Sequence, residues 1–278
     1  MKIEDRCRNV QGFQEFNIDL DAWRAPKPHG ISGLFRLKNE ADFMVMAIES
    51  HLPFLDEAVL LIQESADNTE ALAAQMREKH GSEKIRIFKY PFSVHWIGTP
   101  EHFSLPENDL HTMMHLTNYG ISKCRFSWVA KIEGDVIALR TFSRLREWID
   151  AEPAATKYYG RVGLNVAGPG GRQFPVEAPR NAGWDEAIFN NHPIWHCIRN
   201  QKWESINFHD KRDKLENNGW DFLHVKRCKP IHQRLSESET WMPLVKGHLL
   251  HALAKYEGRH PFPGFGDFCP DILFERVL

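Results

Sequence analysis

The sequence feature that most constrains the fold is an uninterrupted apolar run at residues 58–62, Ala-Val-Leu-Leu-Ile. A run of this kind is typical of a strand that is buried on both faces of a parallel sheet. It leads into a polar cluster at residues 63–69, which is rich in the residue types that cap the start of a helix. A buried strand followed at once by a helix predicts a β-α-β unit.

The same alternation continues on both sides of this run. Further strands are predicted at residues 31–37, 84–88 and 128–132. The helical stripes between them are formed by Met44, Ala47, Ile48 and Leu52 before Pro53, by Leu72 and Met76 before Gly81, and by Leu110, Met113, Met114, Thr117 and Ile121. This order predicts an α/β fold, a doubly wound and mostly parallel sheet flanked by helices.

The length of 278 residues fits one large domain with extensions. We expect an irregular N-terminal extension at residues 1–30, a ligand-binding half at 31–140, a second half of the same domain at 141–235, and a C-terminal extension at 236–278. Within the second half, residues 181–186 predict a turn that opens a helix, and residues 222–225 predict a short strand.

Composition excludes several classes of protein. Hydrophobic residues make up 42% and charged residues 26%, which is ordinary globular usage and excludes a disordered chain. The formal charge of -2 argues against nucleic acid as a partner. Five scattered cysteines without a CxxC motif favour a reducing, cytoplasmic location. No apolar run approaches the roughly 18 residues of a spanning helix, so no transmembrane segment is expected, while peripheral membrane association stays open.

Polar turns at the predicted strand ends are the candidate ligand sites, because ligands of open α/β sheets bind beyond the carboxyl ends of the strands. These turns lie at residues 36–40, 63–69 and 133–135. In the last turn, Glu133 and Asp135 could face one point and bind Mg²⁺ or Mn²⁺ through oxygen, although a charged β-turn is the commoner explanation of such a tripeptide. GxGxxG and GxxxxGK[ST] motifs are absent.

Two further groups could carry chemistry in the second half of the chain. Asp185 and Glu186 would suit a general base, or would simply cap a helix. His224 could complete a metal site, and Lys226 could neutralise phosphate, although a structural role is common for a single histidine. Trp184 could stack on an acceptor sugar or pack in the core.

The order of these segments resembles the nucleotide-sugar-dependent glycosyltransferases of the GT-A fold, family 2 type. Residues 36–40 resemble the R-x-K-N-E segment of that family, residues 50–57 its S-x-L-x-F-x-D-E stretch, and residues 65–69 its S-x-D-N-T. Residues 128–135 lie where the family has its metal-binding D-x-D motif. The resemblance covers about the first half of the chain.

The resemblance implies a role for each matching position. The residues implied to bind the nucleotide sugar are Arg36, Asn39, Glu40, Glu64, Asp67, Lys131, Glu133 and Lys226. The implied ligands of a divalent cation, Mn²⁺ or Mg²⁺, are Glu133, Asp135 and His224. Asp185 or Glu186 would be the catalytic base, and Trp184 would contact the acceptor. Two departures are the Gln63-Glu64 pair, where the family has an acid, and Glu133, where it has Asp.

The implied activity is metal-dependent transfer of a sugar from a nucleotide-sugar donor to a hydroxyl acceptor, with inversion. The acceptor would be a glycan or surface polysaccharide. Two alternatives remain open from the residues. One is a nucleotidyltransferase that makes the activated sugar, and the other is a carbohydrate-binding protein that has lost catalysis.

Overall fold

A computed structural model describes residues 1–138, 143–151, 158–160, 163–167, 174–177, 187–200, 203–207, 214–215 and 222–227. All structural statements below concern these residues. Their strands are β1 (Ile31–Leu37), β2 (Glu57–Gln63), β3 (Ile85–Tyr90), β4 (Trp128–Glu133), β5 (Val136–Ala138), β6 (Tyr158–Gly160), β7 (Gly163–Ala167), β8 (Phe174–Glu177), β9 (Ala187–Asn190), β10 (Cys197–Asn200), β11 (Trp203–Ile206), β12 (Lys214–Leu215) and β13 (Phe222–Arg227). Their helices are α1 (Ile3–Arg6), α2 (Leu20–Arg24), α3 (Met44–His51), α4 (Thr69–His80), α5 (Pro100–Ser104), α6 (Met113–Ser122) and α7 (Ser143–Ala151).

The central sheet of the described chain has seven strands in the order β12-β6-β9-β4-β1-β2-β3. Strands β1, β2, β3 and β4 are mutually parallel where they pair, and β9 runs antiparallel to both β4 and β6. All seven residues of β1 and of β2 are buried, as expected for strands covered on both faces. The predicted mostly parallel sheet is therefore confirmed.

Helices cover both faces of this sheet. On one face, Met44 and Ile48 of α3 and Met76 of α4 pack against Phe35 and Leu60. On the other face, the apolar side of α6 joins Leu34, Val59 and Leu61. Because β1 and β2 alternate their side chains between these two layers, each strand contributes to both cores. The doubly wound arrangement predicted from the sequence is thus the one observed.

The direction of winding reverses between β1 and β4. The chain passes from β1 to β2 to β3 on one side, and then crosses through α6 to place β4 on the other side of β1. Such a reversal opens a crevice beyond the carboxyl ends of the two strands. The turns after β1 and β4, at residues 38–41 and 133–135, border this crevice.

Two predictions about the flanking segments are wrong. Residues 1–30 are not wholly irregular, because they form α1 and α2 and bury Phe16, Ile18 and Trp23 against the α6 face of the sheet. Residues 181–186, predicted to open a helix, lie outside the described residues, and the residues that follow them form strand β9 and no helix. Three buried residues of β9 pair with β4 and β6, so tertiary pairing overrides the local capping signal.

A second sheet of four described strands, in the order β5-β13-β7-β8, begins directly after β4. Its strand β13 extends the predicted strand at residues 222–225 to Arg227. A separate hairpin is formed by β10 and β11. In the described chain, no helix combines the length and hydrophobicity that crossing a bilayer requires.

Candidate functional site

Two turns at the carboxyl edge of the sheet hold each other through side-chain hydrogen bonds. The backbone N–H of Asn39 donates to Ser65 Oγ at 3.1 Å, and Asn39 Oδ1 accepts from the N–H of Ala66 at 2.8 Å. Asn39 has a φ of 55°, a left-handed conformation that asparagine tolerates better than most residues. We call residues 39–41 together with 65–69 the loop clamp.

Asp67 is the central acceptor of the loop clamp. Its Oδ1 accepts from the N–H and the Oγ1 of Thr69, at 3.0 and 2.6 Å, and its Oδ2 accepts from the N–H of Ala41 at 3.0 Å. Partial burial alone would raise the pKa of Asp67, but these hydrogen bonds to the charged form outweigh it and lower the pKa. Both carboxylate oxygens are thus engaged within the protein.

The turn after β4 packs directly against the turn after β1. A methyl group added at Gly134 would lie 2.6 Å from Glu40 Cγ and 2.8 Å from Leu37 Cδ2. These separations are far below van der Waals contact, so only glycine permits this approach. Gly134 thereby brings the acidic turn at residues 133–135 beside Glu40, as the crevice between β1 and β4 requires.

A buried charge cluster lies just behind that turn. Arg36 donates from Nη1 to Glu204 Oε1 at 2.6 Å and to Thr117 Oγ1 at 2.8 Å, and the Nζ of Lys131 donates to the same Glu204 oxygen at 2.9 Å. The side chains of Arg36, Lys131 and Glu204 are only 6%, 3% and 4% exposed. From Nη2, Arg36 also reaches Glu133 Oε1 at 3.4 Å.

The titration of this cluster follows from its geometry. Burial would raise the pKa of Glu204, but the charges of Arg36 and Lys131 lower it to about 2. Burial would lower the pKa of Arg36, and Glu204 with Glu133 raises it above the ordinary value instead. Burial and the neighbouring carboxylate of Glu204 raise the pKa of the Cys197 thiol. Arg36 and Glu204 are therefore charged near neutral pH, and Cys197 stays protonated.

The hairpin that carries Glu204 is anchored to α6. The N–H of Cys197 donates to Asn118 Oδ1 at 2.7 Å, and Asn118 Nδ2 donates back to the carbonyl of Cys197 at 3.0 Å. From the preceding residue of α6, Thr117 Oγ1 donates to Glu204 Oε2 at 3.2 Å. These contacts fix the carboxylate of Glu204 beneath the ends of β1 and β4.

The carboxylates of the acidic turn fit a divalent cation only in part. Glu133 is 28% exposed at its side chain, and Asp135 is 2% exposed. Both offer the oxygen atoms that hard cations prefer. The described residues contain no group of three acidic, histidine or cysteine side chains placed to hold a metal ion. Glu133 and Asp135 would therefore need ligands beyond these side chains.

The strand pairing brings the backbone of His224 next to the acidic turn. β13 pairs antiparallel with β5, and His224 lies opposite Val136, the residue after Asp135. Lys226 follows two positions later on the same strand. The sequence resemblance grouped His224 with Glu133 and Asp135, and the topology places the three backbone positions close together.

The remaining predicted residues fall into three groups. Glu64 is exposed directly after β2. Trp184, Asp185 and Glu186 lie outside the described residues. Glu40 borders the acidic turn, while Asn39 and Asp67 serve the loop clamp.

Sequence reasoning missed Glu204 and Thr117. Thr117 interrupts the apolar stripe of α6, and a polar residue in a buried stripe signals a buried hydrogen-bond partner. Glu204 carries no comparable signal, since it lies 168 residues from Arg36 in the sequence. Its role becomes visible only when the hairpin is placed against the sheet.

Comparisons with known proteins give matches among solved structures alone. No protein-family model matches the chain, and no curated protein matches it. Residues 1–349 of TarS from S. aureus match with 11% identity over 70% of this chain and 60% of that chain, at a TM-score of 0.45.

Two further matches are described with their bound molecules. The mannosyltransferase PcManGT from Pyrobaculum calidifontis, in complex with GDP-Man and Mn²⁺, has 13% identity over 52% of this chain and 41% of that chain, at a TM-score of 0.37. Glucosyl-3-phosphoglycerate synthase from Mycobacterium tuberculosis, in complex with Mn²⁺, UDP and phosphoglyceric acid, has 17% identity over 51% of this chain and 45% of that chain, at a TM-score of 0.33. This chain thus spans between 41% and 60% of the length of the three structures. Structural similarity at this level of identity shows a shared fold and does not assign an activity to this chain.

Proposed function

We propose that the chain is a glycosyltransferase that moves a sugar from a nucleotide-sugar donor to a hydroxyl acceptor. One observation carries the proposal, namely the contact of the acidic turn at residues 133–135 with Glu40 in the crevice between β1 and β4. This crevice is the ligand site of open α/β sheets. The resemblance to GT-A glycosyltransferases also implies that the donor binds there.

Residues at the crevice have separate tasks in this proposal. Glu133 and Asp135 would hold Mn²⁺ or Mg²⁺, with His224 as a third candidate ligand. When bound, such an ion stabilises negative charge on a departing diphosphate. Glu40 and Glu64 lie on the donor side, and Lys226 is the candidate cation for phosphate. Arg36 and Lys131 support the site from beneath, since both are bound to buried Glu204.

The acceptor side of the proposal rests on the second half of the chain. A carboxylate at Asp185 or Glu186 would take a proton from the acceptor hydroxyl, which gives inversion. Trp184 would stack on an acceptor sugar of a glycan or surface polysaccharide.

We also propose a cytoplasmic location. The described cysteines Cys7, Cys124 and Cys197 are buried free thiols, which suits a reducing compartment.

A second candidate function is a carbohydrate-binding protein that has lost catalysis. The observation that favours it is the state of the two acidic residues, because Asp135 is nearly inaccessible and Glu133 contacts Arg36. Hydrolysis of a nucleotide sugar without acceptor separates the two functions. Metal-dependent turnover supports the transferase, whereas donor binding without turnover supports the binding protein.

A thermal-shift screen tests the proposed donor site. We expect one of the UDP-, GDP-, dTDP- or CMP-sugars to raise the melting temperature only when Mn²⁺ is present, because ligand binding stabilises the native state. The Asp135→Asn variant should lose this shift. Asp109→Asn is the matched control, since Asp109 is similarly buried but lies before α6, and it should keep the shift. A full shift in Asp135→Asn would show that Asp135 does not serve the cation.

A further inference from the structure

The loop that joins β3 to α6, residues 91–112, presents the most exposed large apolar side chain of the described chain. Trp96 is 70% exposed, and Phe103 in the same loop is 44% exposed. The loop begins at the carboxyl end of β3, so it lies at the same edge of the parallel strands as the crevice between β1 and β4. It is therefore placed to meet a long substrate that also enters the crevice.

The backbone that carries Trp96 is held by several hydrogen bonds. The carbonyl of Trp96 accepts from the N–H of Thr99 at 3.3 Å and from Thr99 Oγ1 at 3.0 Å. Gly98 has a φ of 88°, the left-handed conformation that a type II turn has at its third residue. The preceding residue, His95, donates its N–H to the carbonyl of His111 at 2.9 Å. A turn held in this way loses little conformational freedom when a ligand packs on its indole.

Hydrogen-bonding groups flank the indole. The ring centroids of His95 and His111 are 6.0 Å apart, and His111 Nδ1 donates to the carbonyl of Ser93 at 2.7 Å, whereas its Nε2 makes no hydrogen bond to another described residue. Glu101 is exposed, and hydrogen bonds from its own backbone N–H and from Thr99, together with the nearby His95, lower its pKa. The carboxylate of Glu101 is therefore ionised near neutral pH and can accept hydrogen bonds from a ligand.

The charge of the loop indicates which class of ligand fits it. Residues 91–112 contain three acidic residues and neither Lys nor Arg. Arg6 reaches the loop to pair with Glu107, and Arg199 donates to the carbonyl of Leu105 at 2.7 Å. A surface of this charge does not attract phosphate groups, nucleic acid or an anionic bilayer. It fits a neutral sugar, whose C–H face packs on an aromatic ring and whose hydroxyl groups bond to imidazole and carboxylate groups.

We propose that the turn carrying Trp96, with His95, His111 and Glu101 beside it, is a binding site for a neutral sugar of a glycan acceptor. This site deepens the proposed function and rests on it, since the bound sugar would belong to the same acceptor whose hydroxyl enters the crevice. It is separate from Trp184, the acceptor residue that the sequence resemblance implies. A glycan of several sugars can contact both the turn and the crevice, so the protein should bind oligosaccharides more tightly than single sugars.

The test measures binding of oligosaccharides to the full chain, with neither nucleotide sugar nor metal ion present. The protein is applied to an array of neutral and anionic glycans, and the neutral glycan that binds best is then titrated by calorimetry. We expect Trp96→Ala to weaken its affinity about tenfold, as the loss of a stacked ring would, and Trp96→Phe to weaken it about threefold, because a smaller ring remains.

Two further variants sharpen the test. Glu101→Gln removes a charged acceptor and should weaken the same affinity by about threefold, as the loss of one hydrogen bond would. Val45→Ala is the matched control, since Val45 is 36% exposed and lies on α3, which covers the other face of the sheet, and it should leave the affinity unchanged. Because Trp96, Glu101 and Val45 are exposed, all variants should keep the melting temperature of the wild type.

Several results would overturn the inference. Absence of binding to every neutral glycan, binding to anionic glycans alone, or equal affinity in the wild type and Trp96→Ala would each exclude the sugar site. Sedimentation with phosphatidylcholine vesicles that depends on Trp96 would show a membrane contact instead, and a dimer that depends on Trp96 in analytical ultracentrifugation would show self-association.

Failure of this inference and failure of the proposed function give different results. If no neutral glycan binds while a nucleotide sugar is hydrolysed in the presence of Mn²⁺, the sugar site at Trp96 is wrong and the transferase remains. If a neutral glycan binds through Trp96 but no donor is turned over, the sugar site remains and the transferase is wrong.

Discussion

At the scale of single residues, Gly134 is the position where the candidate site tolerates least change. Gly134→Ala places a methyl group against Glu40 and buried Leu37, and overpacking of this kind costs about 1–3 kcal/mol. We expect a lower free energy of unfolding and weaker donor binding, measured by denaturant titration and calorimetry. Adding Glu40→Ala should recover part of the stability, because it removes the Cγ atom that the methyl group meets at the shortest distance. Simple additivity of the two substitutions would contradict the contact.

His115 is the residue whose titration should be visible in the stability of the protein. Its Nδ1 lies 3.0 Å from Tyr90 Oη, and since that hydroxyl donates to the carbonyl of Leu110, the Nδ1 is assigned as the donor to Tyr90. Its Nε2 has no hydrogen-bond partner among the described atoms. Burial lowers the pKa of His115 from 6.5 to about 4, although the charge of Asp109 opposes this.

This titration predicts acid sensitivity. Between pH 6.5 and about 4, His115 is protonated in the unfolded chain and neutral in the folded chain. Because the unfolded state then binds one more proton, the free energy of unfolding should fall as the pH drops from 6.5 toward 4. His115→Phe keeps the ring volume and cannot be protonated, so its free energy of unfolding should fall less over this interval. Urea titrations at several pH values measure the difference. Parallel curves for both proteins would rule out His115 as the source.

At the scale of elements, the loop clamp ties the start of α4 to the turn after β1. Asp67→Asn removes the charge and leaves one side-chain oxygen to replace two acceptors, so we expect a loss of about 1–2 kcal/mol in stability. Chemical denaturation measures this loss. Glu64→Gln, an exposed change in the same turn, is the control and should alter stability by less than about 0.5 kcal/mol. An unchanged midpoint in Asp67→Asn would show that the clamp adds nothing to stability.

Local patterns predict the elements of the first half well, for a physical reason. In β1, β2 and β4 the apolar runs agree with burial on both faces, and in α4 the predicted end at Gly81 coincides with a φ of 89°. Where local preference and tertiary packing agree, the secondary structure of a segment can be predicted from its sequence. Residues 187–190 follow a capping signal but pair in the sheet, and there the long-range contacts decide.

The candidate site could be predicted only where its residues lie at strand ends. Arg36 and Glu133 lie in the last positions of buried strands and Glu40 follows one, so the sheet rule puts them at one edge. The rule does not show that the side chains of Asn39 and Asp67 each accept a hydrogen bond from the backbone of the other's loop. It also does not show that Arg36 faces inward. Those outcomes depend on partners that the spacing of residues does not encode.

At the scale of the whole molecule, the N-terminal segment belongs to the core and not to a detachable extension. Trp23 is 1% exposed, and its Nε1 donates to Asn191 Oδ1 at 3.1 Å, across 168 residues of sequence. Trp23→Ala should cost about 3–5 kcal/mol, measured by equilibrium unfolding of the full chain. Val10→Ala, at a position that is 52% exposed, should change stability by less than about 0.5 kcal/mol. An unchanged free energy of unfolding in Trp23→Ala would indicate that residues 1–30 are an independent extension.

The long reach of Glu204 also bears on the order in which the protein matures during synthesis. Arg36 and Lys131 leave the ribosome 168 and 73 residues before their shared carboxylate. Until that partner arrives, both cations keep their hydration shells, because dehydrating an unpaired charge is costly. A nascent chain that stops short of the hairpin should therefore leave its first strands unclosed at their carboxyl edge until residue 204 has been synthesised.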